Sequence, residues 1–532
     1  MLLVAPLRAE PPTHSPPADV RAKLFGMRGF PPIGPNEDLT KLLPLIDQFG
    51  QYRHADWPGK TKSPDDLLRR KAAEAVELAD QPGPKGWDQY GGWQDGPQLT
   101  ASGRFRAAKH DGKWWLVDPE GRLFWSHGID CVGWEGATPI TDREPWFTDL
   151  PAEQSPLGVF YGQGHWGPHN YYEGKNFKTY NFAAANLSRK YGNDWQARFA
   201  EIVHRRLRSW GMNTIGNWSN RAIYALRKTP YVITTHVAGR PLAGSEGYWG
   251  RFVDVFDPDF AKNVRRDLAE HRNFGATDPW CLGYFVDNEL SWGDELSLAV
   301  AALRSPAEQP AKQALLADLR KKYDTIERLN AIWGTRHASW SALSQQRHEP
   351  DKKRAYDDLA AFASRFDDLY FRTCRDAVKE LSPQALYLGC RFAWVNDRAV
   401  RAAAPYCDVL SFNRYQASIA DFRLPSAVDK PVIIGEFHFG ALDRGPFHTG
   451  LVPVADQAAR AAAYRGYVGG ALRNPLFVGT HWFQFGDQPT TGRGDGENYQ
   501  IGFLDVCDTP YAETIQASRA IGAGMYAQRL QK

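Results

Sequence analysis

The chain reads as an α/β protein, a (β/α)8 TIM barrel with an N-terminal extension and long loops at the carboxyl ends of its strands. Three observations carry that reading. Eight short apolar runs rich in β-branched residues are spread over residues 123–484, with helical patterns between most of them. Two of the runs, GYFVDNEL at 283–290 and PVIIGEFHFG at 431–440, end abruptly in carboxylates, at the place where such barrels carry their chemistry. A doubly wound open sheet is the alternative, but no Gly-rich phosphate loop follows the first run.

Taken in order, residues 1 to about 35 are rich in Pro and polar side chains and are expected to form a tail or extended arm. Its start, MLLVAPLRAEPP, is a short apolar piece without a basic leading segment, at most the remnant of a signal peptide. Helical patches are expected at 39–49 and 64–78. In RFRAAKHDGKWWLVDPEGRLFWSHGID, hairpin turns fall at His110-Asp111-Gly112 and Asp118-Pro119-Glu120-Gly121. The run 123–130 is the first expected barrel strand. The others are 212–218, 231–236, 281–289, 386–391, 409–413, 432–438 and 477–484. Helices are expected at 195–210, 260–274, 294–303, 311–332, 356–381 and 455–472. Two units result: an arm and small helical or irregular extension over 1–103, and the catalytic barrel with its preceding hairpins over 104–532. Connections after strands one, four and eight are long, as suits a substrate cleft. The stretch 159–192, with aromatics among Gly, His and Asn, is either a lid or subsite wall or a small packed cap.

Bulk composition narrows the function. Lys plus Arg number 64 against 61 Asp plus Glu, a net charge of +3, which argues against a nucleic-acid binder with a basic face. No run reaches the roughly 20 apolar residues that span a bilayer, so no membrane role is expected. The six cysteines show no CxxC spacing, and neither a disulfide framework nor a zinc site follows. Without HExxH, a close His-x-His pair, a GxSxG elbow, a Walker loop or a dinucleotide fingerprint, no metal and no cofactor is expected. Aromatics make up 13% of the chain, enough to stack on sugars or simply to fill a core.

Glu289, at the end of strand four, follows Asn288, and Glu436 interrupts Val432-Ile433-Ile434 before Phe437-His438-Phe439. Two such carboxylates suit cleavage of a glycosidic bond. In a retaining glycosidase one protonates the leaving oxygen and the other attacks the anomeric carbon, about 5–5.5 Å apart. Taken singly, either could be a strand cap or structural ion pair. Supporting candidates stand at other strand ends: Asn413 and Tyr415 at strand six, Trp482 in strand eight as an aromatic floor, and His127 with Asp130 at strand one. Asn217 and Trp218 end strand two and His236 ends strand three; His438 and Asn498 complete the substrate-binding set.

GYFVDNELSWG and PVIIGEFHFG resemble glycoside hydrolase clan A, retaining (β/α)8 enzymes with the acid/base after strand four and the nucleophile after strand seven. More narrowly, WWLVDPEGRLFWSHGID, the loop ending NLSRKYG, and GENYQIGFLDVCDTPY at 496–511 are similar to the β-agarases of family 50, over about Arg104 to Glu513. KKYDTIERLNAIWGTRHASW resembles a helical segment of family 42 β-galactosidases. The resemblance implies Glu289 as acid/base, Asn288 as its 2-hydroxyl-binding neighbour and Glu436 as nucleophile, with Tyr415 and Trp482 matching the clan's tyrosine and strand-eight tryptophan. It departs at strand two, where many members have arginine and this chain has Asn217-Trp218-Ser219. It also departs before the barrel, where no β-sandwich module is legible. The implied activity is retaining hydrolysis of β-1,4-galactosyl bonds of agarose or agaro-oligosaccharides, exo-acting with neoagarobiose as product. A β-galactosidase or other galactan hydrolase is the alternative within the clan, and a non-catalytic glycan-binding barrel the alternative outside it. The implied partner is a galactan poly- or oligosaccharide, the implied location secreted or periplasmic, and the oligomeric state is open.

Overall fold

The computed structural model describes residues 43–531. The expected arm and signal remnant lie outside them, as does the start of the 39–49 patch. Its remainder is not helical: Leu45 and Ile46 donate their backbone N–H groups to the Trp146 carbonyl, at 2.7 and 2.9 Å, and Pro44 lacks the donor a helix would need there. The 64–78 patch is a helix, Pro64–Asp80, opened by a capping box between Ser63 and Asp66.

Two turns then build an antiparallel sheet. Arg106–His110 pairs with Lys113–Val117 through a two-residue turn, with His110 opposite Lys113. Asp111 and Gly112 there have φ of 48° and 75°, the left-handed pair that such a turn requires. The expected strand 123–130 divides between two sheets. Leu123–Phe124 pairs with Leu116 and Val117, whereas Ser126–Ile129 enters the main sheet.

That main sheet has eight parallel strands: β1 Ser126–Ile129, β2 Thr214–Ile215, β3 Tyr231–Thr235, β4 Cys281–Val286, β5 Leu386–Tyr387, β6 Leu410–Asn413, β7 Val432–Glu436 and β8 Phe477–Trp482. Their order is β5-β4-β3-β2-β1-β8-β7-β6. Just past β5, Phe392 bridges in parallel to Phe412 of β6, with Phe392 N on the Ser411 carbonyl (2.9 Å) and Asn413 N on the Phe392 carbonyl (2.8 Å). The outer strands therefore meet. Every residue of β4, β7 and β8 is buried, as expected of parallel strands covered on both faces.

Parallel strands need crossovers, and helices supply all but the β6–β7 link. The expected helix 311–332 is two, Pro310–Tyr323 and Ile326–Trp333. The break lies at Asp324, with φ of 64°, followed by Thr325, whose hydroxyl accepts from Arg328 N and caps the second helix. Inside the curl, Val232, Leu282, Phe285, Leu388, Val409 and Ile433 form one apolar cluster with Leu116 and Phe124 of the antiparallel sheet and Phe105 just before it. That sheet thus plugs the amino end of the interior and leaves the carboxyl end for polar groups. All six cysteines are free, and among the described residues no helix is long and apolar enough to cross a membrane.

Candidate active site

β4 presents its carboxylates through a kink. After Val286 the backbone passes through Asp287 (φ 64°) and Glu289 (φ 52°), left-handed values that non-glycine residues hold only when the surroundings over-determine them. Here the surroundings are explicit. Asp287 is tied away from the cleft, accepting from the Tyr370 hydroxyl (2.6 Å) and from Val237 N (2.7 Å). Asn288 and Glu289 are left facing the sheet interior.

Glu289 is buried, with Oε1 accepting from Asn413 Nδ2 (2.8 Å) and Oε2 from Trp249 Nε1 (2.7 Å). Burial, and next the Glu436 carboxylate, push its pKa up to about 7, against the opposing pull of those two donors and of Arg391. A carboxyl group in that condition can both give and take a proton near neutrality.

Glu436 ends β7. Its Oε1 accepts from Arg391 Nη2 (2.6 Å) and its Oε2 from the Tyr415 hydroxyl. Each of its two oxygens is thus held by a donor. Arg391, with φ of 53° just past β5, is wholly buried. Its Nη2 also donates to Asp130 Oδ2 (2.9 Å), and its Nε to Asn288 Oδ1 (2.8 Å). The Asn217 carboxamide, turned with its oxygen toward the guanidinium, accepts from Nε and Nη1 at 3.1 Å each. Phe285 below and Trp218 above sandwich the cation, at 5.2 and 4.8 Å from the ring centroids. Burial works against the charge of Arg391, but Asp130 and Glu436 outweigh it and raise the pKa. Burial in turn pushes Asp130 up to about 7, with Arg391 opposing.

Eight of the residues singled out from sequence therefore meet in one network: Glu289, Glu436, Asn288, Asn413, Tyr415, Asn217, Trp218 and Asp130. His438 stands directly behind it, its ring 4.6 Å from that of Tyr415 and its Nε2 accepting from Leu451 N (2.8 Å). His236 is exposed at the rim after β3. Three lie elsewhere. His127 faces the helical layer, bonded to the Gly211 carbonyl (2.6 Å) and the Tyr464 hydroxyl (2.5 Å). Trp482 is wholly buried on that same outer side, packed on Phe437, Tyr464 and Phe503 with Nε1 on the Ile501 carbonyl (2.8 Å). It is no sugar floor. The aromatic after β8 that reaches the site is Phe483, 6.0 Å from Trp218 and 6.2 Å from His438. Asn498 is buried in the loop after β8, its amide on the Thr490 carbonyl (3.4 Å).

Sequence reasoning missed Arg391, Trp249 and Phe483. A signal for the first existed: Arg391 closes the apolar run LYLGC, as the glutamates close theirs. Beside the network, a cavity of about 490 Å³ opens between the loops after β1 and β8, lined by Trp134, Trp166, Trp218, Gln484 and Arg493 among others. Strands Tyr161–Gly164 and Phe177–Asn181, with Ala137–Pro139, form its wall. Among the described residues, no three His, Cys, Asp or Glu side chains stand together to hold a metal ion.

No family model matches the chain. It is 36% identical over 560 residues to β-agarase B of Vibrio sp. (strain JT0107), an alignment covering 98% of this chain and 58% of the relative. To β-agarase A of the same organism it is 34% identical over 533 residues, covering 91% and 52%. The chain thus spans just over half the length of these curated relatives. The solved agarase AgWH50C superposes with a TM-score of 0.86 at 35% identity, over 94% of this chain and 75% of that one. PfGH50B gives 0.88 at 32% identity, over 94% and 76%. The chain belongs to glycoside hydrolase family 50. A structure described as an exo-β-agarase also matches this family 50 chain, with a TM-score of 0.86 at 32% identity over 94% and 76%.

Proposed function

We propose that this chain is a retaining, exo-acting β-agarase of clan A type on a closed (β/α)8 barrel spanning 104–532, with 1–103 as its extension. The Phe392–Phe412 bridge between the outer strands supports closure. The observation that carries the mechanism is the contrast between the two glutamates. Glu289 sits near pKa 7, while Glu436 accepts from Arg391 and Tyr415. A buried carboxyl raised toward neutrality suits the acid, and one gripped by two donors in a fixed position suits the nucleophile.

In the first half-reaction Glu436 attacks the anomeric carbon of the galactosyl unit. The C–O bond to the acceptor sugar breaks, and Glu289 delivers its proton to the departing oxygen. In the second, Glu289 takes a proton from water, the hydroxide adds to the same carbon, and Glu436 leaves as carboxylate. Asn288 is proposed to hold the 2-hydroxyl, oriented by the Arg391 bond to its Oδ1. The names of the relatives support agarose as the target; the bonds we propose are its β-1,4-galactosyl bonds, in polymer or oligosaccharide, with neoagarobiose as the proposed product. Such polymers do not enter cells, so a secreted or periplasmic enzyme follows from that substrate.

Product analysis with agarose, neoagaro-oligosaccharides and an aryl β-galactoside tests the reading. Neoagarobiose is expected, released as the β-anomer. Cleavage of the aryl galactoside alone would move the substrate to a small galactoside. Glu289→Gln should cost about 10²–10⁴ in rate on oligosaccharides, and Glu436→Gln should abolish turnover while keeping binding. Full activity in Glu436→Gln would sink the mechanism.

A further inference from the structure

A row of exposed aromatic rings starts at Glu289, and beyond the Trp249 bond to that carboxyl the double displacement makes no use of it. Trp249, whose Nε1 holds Glu289, stacks on Trp166 with centroids 6.0 Å apart and meets Tyr248 edge-on at 4.6 Å. Tyr248 in turn leans on Trp394 at 5.5 Å. Trp166, Trp249, Tyr248 and Trp394 are 52%, 38%, 38% and 43% exposed. They come from the loops after β1, β3 and β5. Rings of this size are strongly favoured to bury, and a contiguous exposed apolar patch marks a binding surface.

The position of the row fixes what it would bind. The acid protonates the oxygen that departs with the acceptor half of the substrate, so surface reached through the acid belongs to that half. The cavity of about 490 Å³ lies beside Trp218, which covers the arginine that holds Glu436, and its lining includes neither Trp249, Tyr248 nor Trp394. Trp166 belongs to both, lining the cavity and touching Trp249. We infer that Trp249, Tyr248 and Trp394 form an acceptor-side track, on which the reducing-end portion of a galactan chain stacks its C–H faces. The bounded cavity takes the short non-reducing end. This rests on the glutamate roles and galactan substrate proposed above, and it adds the direction in which the chain lies.

The test is a ladder of neoagaro-oligosaccharides from tetraose to octaose, with kcat/KM measured for wild type, Trp394→Ala and Trp394→Phe. Trp394 touches neither glutamate, and the phenylalanine variant keeps an aromatic face. In wild type kcat/KM is expected to rise with chain length. In Trp394→Ala the ratio of octaose to tetraose should fall by about tenfold, the worth of a lost ring contact, and Trp394→Phe should restore most of it. A ratio left unchanged in Trp394→Ala overturns the track, as does an equal loss at every length. Wild-type silence on the whole ladder would instead overturn the agarase reading, and the track's occupant with it.

Discussion

With its guanidinium 2.6–2.9 Å from Asp130, Glu436 and Asn288, Arg391 fixes the nucleophile candidate and its neighbouring amide in one frame. Lysine at this position keeps a charge but not the planar fork. Arg391→Lys is expected to lower kcat on neoagaro-oligosaccharides by about ten- to a hundredfold, the worth of a buried charge-assisted bond, with a smaller change in KM. Trp249→Phe tests the acid role proposed for Glu289. It removes a donor that favours the Glu289 carboxylate, so the carboxyl pKa rises further above about 7. Since the first step needs the protonated acid, the alkaline limb of kcat/KM should move up, by about half to one pH unit; a limb moved down would refute that assignment. Sequence made the glutamates, Asn413 and Tyr415 legible because a polar residue ending an apolar run is conspicuous. It could not orient His127 or Trp482. Strands buried on both faces carry no inward–outward alternation to read, and the register irregularity between β7 and β8 shifts the count there.

At the scale of elements, β1 and β8 show how closely the strands must approach beneath the site. A Cβ on Gly479 would stand 2.5 Å from the Ser126 carbonyl oxygen and 2.6 Å from Ser126 Cβ. Gly479→Ala is therefore expected to force these strands apart and to cost about 1–3 kcal/mol, read as a lower midpoint in denaturant. The expected strands and the crossover helices appeared in the right order because hydrophobic period and length distinguish them well. Their divisions did not. Nothing in the apolar run 123–130 marks where an antiparallel sheet hands over to a parallel one, and Asp324-Thr325 breaks a helix whose apolar spacing continues across it.

For the whole molecule, Arg206 acts as a joint between distant segments. Wholly buried in helix Trp195–Ser209, it binds Glu74 of helix Pro64–Asp80 through Nε (2.6 Å) and Nη2 (2.8 Å). It also binds Asp508, in the loop before the last helix, through Nη1 (2.6 Å) and Nη2 (2.8 Å); Lys190 adds a contact to Asp508 at 2.7 Å. Removing the guanidinium leaves two buried carboxylates with Lys190 alone between them, so Arg206→Ala should lose about 3–5 kcal/mol, measurable by thermal or denaturant unfolding. The pH dependence has a definite sign. Burial opposes ionisation of Asp508, but Arg206 and Lys190 prevail and lower its pKa. Its contribution is complete above the ordinary aspartate value of about 3.9 and is lost as pH falls through the depressed folded value. No sequence window contains this joint, because Glu74, Arg206 and Asp508 lie more than a hundred residues apart.

The plugged amino end of the strand interior has a kinetic consequence. With Phe105, Leu116 and Phe124 filling that end, nothing the size of a sugar passes through the molecule. On the proposed exo mode, product in the cavity beside Trp218 cannot leave through the strand interior, and a released disaccharide stands in the path of the next chain end. Turnover should therefore slow as product accumulates, with inhibition competitive against oligosaccharide, and progress curves should bend long before substrate is exhausted.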